Sequence, residues 1–264
     1  GEPLKTPALD YTETEIEKEG FNVTVEAQDL CPRYIAHYVY DVKLGQSPAW
    51  MRRRLALVGN NSISNIVDIT NYIMRELGQP LHAFDCDYLE GNAINVRRAA
   101  EGEKIVTLDE KEFTLNPNNL VICDGKKPVA LAGIMGGLNS EIRDTTTEVM
   151  FEAAKFARDN IRRSSRALGQ GSDASQRYSK GVDEYTTEMA MKRVLHLVEE
   201  LGVGKISKSH KNVNTGNSLE PTTFKTSVKK VNAVLGITVP NEDILRILTG
   251  LNFQPEINGD ELTM

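Results

Sequence analysis

The first clear pattern along the chain begins at Phe21, where FNVTVEA alternates apolar and polar positions with the period of a half-buried strand. Tyr34–Leu44 (YIAHYVYDVKL) reads as a second strand. Ser47-Pro48 then offers an N-cap followed by proline at the first helical position, predicting a short helix to about Val58 that Gly59 stops. Ser64 caps the next helix, in which Ile66, Ile69, Ile73 and Leu77 recur at helical spacing before Gly78. Gln79-Pro80 cannot continue that helix, which puts His82 in the loop beyond it. Residues 93–98, 104–108, 112–115 and 119–123 read as short strands, and Val129–Ile134 as an apolar strand running into Gly136-Gly137. Val149–Ala153 (VMFEA) is strand-like, Asp159–Leu168 is helical up to Gly169, and Glu184–Leu201 predicts a long amphipathic helix ended by Gly202.

These elements predict one compact α+β domain, mixed in its order of helices and strands, over roughly residues 20–210. Residues 1–19 are polar and acidic and read as an upstream tail or linker. The turn-rich stretch 207–221 contains the expected linker, 211–221. Beyond it, 222–264 carries two short helices, about 227–235 and 242–249, the second capped by Asn241, and then what reads as the start of a strand. That last segment is expected to be a truncated small helical domain.

Composition narrows the class. With 264 residues, 40% hydrophobic and 26% charged, the chain is ordinary for a soluble globular protein. No run approaches a membrane span and the N-terminus is no signal peptide, so an intracellular, cytoplasmic protein without a membrane partner is expected. Cys31, Cys86 and Cys123 have no CxxC spacing and read as reduced, buried small hydrophobes. His37, His82, His196 and His210 lack metal-ligand spacing, which argues against a structural metal. The net charge of −6 votes against broad phosphate neutralisation, although local patches such as Arg52–Arg54 and Arg162-Arg163 can act inside an acidic chain.

Candidate chemistry is sparse. His82 is either a satisfied structural histidine or a hydrogen-bonding or acid–base group at a pocket mouth. Glu152, inside an apolar strand, either faces solvent by alternation or is buried for a purpose. If buried at a pocket, it could accept a hydrogen bond from a substrate hydroxyl and reject an analogue lacking one. Gly133–Gly137 (GIMGG) has neither nucleotide-loop spacing, so its glycines point to positive φ or close backbone approach. Residues 171–175 (GSDAS) offer hydroxyls and, alternatively, a plain helix cap. No Ser-His-Asp or Cys-His spacing is recognisable.

A longer signature adds to this. The run Asn65–Asp85 (NIVDITNYIMRELGQPLHAFD) is followed in order by ALAGIMGG, SDASQRYSKGVD and, between these two, VMFEAAKF; EAQDLCPRY precedes it. Together they resemble the editing module of the bacterial phenylalanyl-tRNA synthetase β-subunit over roughly residues 20–210, with 222–264 similar to the start of the small helical domain that comes after it. The resemblance implies hydrolysis of mischarged tyrosyl-tRNA(Phe), with no cofactor in this fragment and ATP and magnesium serving the whole enzyme. It also implies an α-subunit partner in an α2β2 heterotetramer, and tRNA(Phe) with its tyrosine moiety as substrate.

Carried over by position, Glu152 corresponds to the glutamate that recognises the tyrosine hydroxyl, and His82 to the histidine that places the terminal adenosine and ester. Gly136 corresponds to a glycine against the substrate, and Ala174 to a small residue in the side-chain pocket. Ser172 stands where the family often has threonine, and Asn61 where many members have arginine. An asparagine cannot replace that charge or its forked donors. The departure leaves open a second reading, a tRNA-docking or subunit-packing module whose editing pocket is weakened.

Overall fold

The computed structural model describes residues 5–216 and 220–264, and these fall into two units, each considered separately. The first holds eleven strands among its described residues: β1 (Asn22–Val25), β2 (Arg33–Tyr40), β3 (Leu81–Asp85), β4 (Ala93–Arg98), β5 (Lys104–Val106), β6 (Glu112–Thr114), β7 (Leu120–Cys123), β8 (Pro128–Leu131), β9 (Met135–Gly136), β10 (Val149–Lys155) and β11 (Lys205–Asn214). Its helices are α1 (Ala49–Leu57), α2 (Asn65–Leu77), α3 (Arg158–Ala167), α4 (Asp173–Tyr178) and α5 (Glu184–Glu200). The fold is α+β.

Two sheets organise this unit. A five-stranded sheet runs β1-β4-β7-β8-β9, parallel only between β1 and β4. An antiparallel four-stranded sheet runs β11-β2-β10-β3, so β10 is central and paired on both sides. Side chains alternate across β10. Val149, Phe151 and Ala153 join Leu55, Ile69, Ile73, Val194 and Leu197 in a core against the helices, whereas Met150 and Ala154 join Ile94, Val121, Ile122 and Leu131 in a core between the two sheets. The layers are therefore helices, sheet and sheet, and the second core is where polar groups gather.

Helix α2 forms where its caps and its apolar stripe predict: Ser64 accepts from the Val67 N–H at one end, and Gly78, at φ 77°, ends the other in the left-handed region. Other expectations need correction. His82 is not in a loop; it lies in β3, directly opposite Glu152 of β10. The local Gln-Pro signal ends the helix, but pairing with β10, distant in the chain, makes the next segment a strand. Val129–Ile134 is not one strand either: β8 stops at Leu131, and Gly133, at φ 65°, turns the chain back into β9.

Pro48 rather than Ser47 occupies the cap position of α1, because the Met51 and Arg52 amides both reach the Pro48 carbonyl; the Ser47 hydroxyl is buried without a partner. The stretch expected as a linker begins with β11, an edge strand whose many exposed positions explain its polarity. Nor is the N-terminal segment a free tail. Thr14 donates its amide to the Ile206 carbonyl, and the Lys18 amide donates to Ser209 Oγ at 2.8 Å, tying residues 14–18 to β11.

The second unit contains β12 (Lys225–Ser227), α6 (Val228–Leu235), α7 (Asn241–Gly250), β13 (Glu256–Asn258) and β14 (Glu261–Thr263). Its three strands form a sheet in the order β12-β14-β13, so it is mixed rather than purely helical. Val228, Ile244 and Leu262 are its buried core. Pro240, not Asn241, precedes α7 in the cap position.

Candidate functional site

Between the two sheets of the first unit lies a concave space of about 380 Å³, part of it open to solvent. Glu152, His82, Gly136 and Ala174 all line it, together with Ile122, Leu131 and Tyr178. Residues far apart in the chain thus converge because β3, β9, β10 and α4 meet there. The lining is mainly apolar with a few polar groups, as in small-molecule sites generally.

Glu152 is buried, at 4% exposure, on the inter-sheet face of β10. The Tyr34 hydroxyl, from β2, donates to its Oε2 at 3.0 Å. Burial pushes the Glu152 carboxyl up to about 8, and the Tyr34 hydrogen bond only partly opposes that. The group is therefore mostly protonated at neutral pH, and can both donate and accept a hydrogen bond.

His82 faces the same space from the paired strand. Burial alone lowers its imidazole to about 4, so it is neutral near pH 7. Its Nε2 is buried and has no hydrogen-bond partner. Phe84 packs against the ring edge-on at a centroid distance of 4.5 Å. Gly136 closes the other side: a Cβ there would meet His82 Cε1 at 2.5 Å and Nε2 at 2.9 Å. Glycine at this position is a matter of close approach, since only Gly133 in this loop has a positive φ.

The walls are held by hydrogen bonds that the sequence does not reveal. Gln79 is fully buried and donates to the carbonyls of Pro80 and Ala154, pinning the entry to β3 against the end of β10. The Tyr178 hydroxyl also donates to the Ala154 carbonyl, at 3.0 Å. Ser172 is the N-cap of α4 in a reciprocal capping box with Ser175, and its Oγ donates to the Ile134 carbonyl at 2.6 Å. It fastens α4 to the glycine loop and does not itself line the cavity. The plain cap reading of residues 171–175 holds for Ser172, while Ala174 in the same segment reaches the cavity.

Asn61 is exposed and does not line the cavity. Its neighbour Asn60 accepts from Arg75 Nε at 2.7 Å, and Arg75 also pairs with Asp173 at 2.5 Å, at the start of α4. Arg75, Tyr34 and Gln79 are the contributors that residue-by-residue reading missed. Tyr34 and Gln79 stand inside the signature segments, but nothing local marks them as partners of a site.

Away from the cavity, Glu13, His37 and His210 each bring a potential ligand atom within 4.8 Å of the others, which linear histidine spacing did not foresee. His37 and His210 are cross-strand partners on β2 and β11, with rings stacked at 5.3 Å. His37 Nε2 is already 2.8 Å from the Ser207 carbonyl, to which it donates as a neutral imidazole. The cavity's own lining offers His82 and Glu152 as potential ligands and no third.

The sequence from Leu30 to Val203 matches the B3/4 domain, well over half of the chain. The chain belongs to the B3/4 domain family. It is 47% identical over 263 residues to the phenylalanine–tRNA ligase β-subunit of Syntrophus aciditrophicus, covering 96% of this chain and 32% of that protein. The corresponding β-subunits of Clostridium tetani and Bacillus cereus are 41% and 43% identical, each over 98% of this chain. The chain thus spans about a third of the length of the curated relatives it matches. In fold, it is similar to an N-terminal fragment of the phenylalanyl-tRNA synthetase β-subunit from Pyrococcus horikoshii, with TM-score 0.50 and 13% identity over 96% of this chain and 70% of that one. Within the B3/4 domain, the cavity sits where β3, β10 and α4 come together.

Proposed function

We propose that the cavity is an editing site, which takes the aminoacyl end of tyrosyl-tRNA(Phe) and hydrolyses its ester. The observation that carries this reading is Glu152: a buried, largely protonated carboxyl held by Tyr34 in an otherwise apolar cavity. A tyrosine side chain entering the cavity gives this carboxyl a hydroxyl partner. Phenylalanine leaves it with Tyr34 as its one partner and the rest of its hydrogen-bonding capacity unused, and a site built around a substrate hydroxyl discriminates strongly against the analogue without one.

The cavity lining offers no serine, threonine or cysteine nucleophile. Water therefore attacks the ester carbonyl, the bond to the ribose oxygen breaks, and that oxygen leaves with a proton as the free hydroxyl. Neutral His82, with its unpartnered Nε2 against Gly136, hydrogen-bonds the terminal ribose and fixes the ester. With its pKa near 4 it is a positioning group rather than a proton store at pH 7. Asn61, on which a weakened pocket would rest, lies outside the cavity lining, and this favours the editing reading over a pure docking or packing module.

By the likeness to the β-subunits, the proposal extends to a larger cytoplasmic phenylalanine–tRNA ligase. Its α-subunit, in an α2β2 assembly, its ATP and magnesium chemistry, and its attachment of phenylalanine to tRNA(Phe) lie beyond this chain's residues. The editing claim is tested by incubating the 264-residue chain with preformed tyrosyl-tRNA(Phe) and phenylalanyl-tRNA(Phe). The tyrosyl ester is expected to be cleaved at least about 100-fold faster, and Glu152→Ala to abolish that preference. Equal rates on both esters, or an unchanged preference in Glu152→Ala, would sink the proposal.

A further inference from the structure

Helix α3 carries Arg158, Arg162 and Arg166 at four-residue intervals, so they form one ridge along the helix, with Arg163 beside it. Between Arg158 and Lys180 there are six basic and two acidic residues, a local charge of +4 in a chain of net −6. Arg158 pairs with Asp159, but among the described residues Arg162, Arg163, Arg166 and Lys180 have no carboxylate within salt-bridge reach. Elsewhere many arginines are neutralised: Arg33, Arg75, Arg97, Arg98 and Arg193 have carboxylate partners, while among the described residues Arg52, Arg53 and Arg54 of α1 do not. A like-charge ridge left unpaired is unfavourable for the helix by itself.

The unpaired cations also share a concavity. Arg162, Arg166 and Lys180 line a surface recess together with the hydroxyl residues Ser165, Ser175 and Ser179. Its floor is α4, the helix whose Ala174 and Tyr178 line the cavity described above. Positions 174 and 178 lie on one face of α4 and positions 175 and 179 on the next, so a single helix is the wall between recess and cavity. Arginine forks match the oxygens of a phosphodiester, and Ser179 adds a hydroxyl, whereas those of Ser165 and Ser175 already donate to the Gln170 and Ser172 carbonyls.

We propose that this recess binds backbone phosphates of an RNA strand, holding the single-stranded 3′ end just before its last nucleotide enters the cavity on the other side of α4. The assignment rests on the editing reading for the identity of the RNA. Its contacts are charge-based and sequence-independent, so affinity falls with salt, by about 0.7 in logarithmic slope for each phosphate engaged on a single strand.

The test uses fluorescence anisotropy of the whole 264-residue chain with a labelled RNA hairpin bearing a four-nucleotide single-stranded 3′ end, titrated over a range of salt. Arg162→Glu with Arg166→Glu is expected to weaken binding at least about tenfold near 50 mM salt and to flatten the salt slope by about 1.4. Both side chains are exposed, so the double variant should keep the wild-type melting temperature. A matched reversal of two other exposed lysines, Lys43→Glu with Lys211→Glu, is expected to change affinity far less, and a blunt hairpin to bind weakly to every variant. Unchanged affinity and slope in the arginine variant, an equal loss in the lysine variant, or equally tight binding of the blunt hairpin overturns the proposal. Because binding is read without hydrolysis, a chain that binds through the recess yet cleaves no tyrosyl ester would overturn the editing reading alone.

Discussion

Strand β10 presents Val149, Phe151 and Ala153 to the helices, and Met150, Glu152 and Ala154 to the opposing sheet. On the first face the neighbours are mostly apolar, His37 opposite Phe151 and Asp85 opposite Val149 being the polar ones, and the packing is closed by α2 and α5. On the second, the same strand holds a buried carboxyl facing a cavity, with tyrosine hydroxyls and a bare imidazole nitrogen nearby. The helix face supplies rigidity mainly through burial, its His37 and Asp85 being hydrogen-bonded within the fold, whereas the inter-sheet face gives up some stability to keep polar groups dry and poised. A strand buried on both sides can thus divide structure and chemistry by parity of position.

That division can be broken most severely from the helix side. Phe151→Ala removes a fully buried ring and should destabilise the first unit by about 3–5 kcal/mol in urea denaturation. It should leave the preference between tyrosyl and phenylalanyl esters unchanged wherever the variant is folded. A changed preference would mean that the two faces are not separable.

Acid tests both faces, since His37 stands opposite Phe151 and His82 opposite Glu152. The unfolded chain's imidazoles take up protons near pH 6.5, but buried His37 and partly buried His82 do so only near 4, so stability is present above 6.5 and drains away as pH falls towards 4. Each contributes up to about 3 kcal/mol to that loss. In His82→Gln the slope of unfolding free energy between pH 6.5 and 4.5 should fall by about one bound proton, the opposing Glu152 contribution being the same in both chains.

Glu152 titrates in the opposite sense. Its carboxyl is held protonated up to about 8 while the unfolded chain ionises near 4.5, so its unfavourable contribution grows as pH rises through that window. Glu152→Gln should therefore stabilise the fold by up to about 4 kcal/mol at pH 8 and by less than about 1 kcal/mol at pH 5, while losing hydroxyl selection. No gain at pH 8 would show that the carboxyl is not desolvated as the fold implies. The smallest effect is expected at the junction between α4 and the glycine loop: Ser172→Ala removes the cap and the bond to Ile134 and should cost about 1 kcal/mol, whereas Ser172→Thr should cost little.

The boundary between local and non-local causes also separates the legible parts of the fold from the rest. Helices α2 and α5 were legible because caps, glycine stops and apolar stripes lie within each segment. His82 was misplaced in a loop because its partner strand is distant in sequence, and β11 looked like a linker because an exposed edge strand need not be apolar. For Glu152, alternation could not decide the facing, since both faces of β10 are buried. Residue types and spacing gave no hint that His82, Gly136, Glu152 and Ala174 share one cavity; the signature resemblance selected them, and the fold brings them together. Ser172 and Asn61, selected in the same way, stand respectively in the wall's support and on the surface. The Tyr34 and Gln79 contacts depend on tertiary packing and had no sequence signal of their own.

The claim on which everything else turns is that Glu152 meets the phenol of a bound tyrosyl group. The most direct measurement is a crystal structure of the chain soaked with a non-hydrolysable tyrosyl-adenosine amide. The phenol oxygen should lie within hydrogen-bond distance of a Glu152 carboxyl oxygen, with the ribose against His82 and Gly136. A tyrosyl ring bound elsewhere, or turned so that its hydroxyl points away from Glu152, would contradict the account.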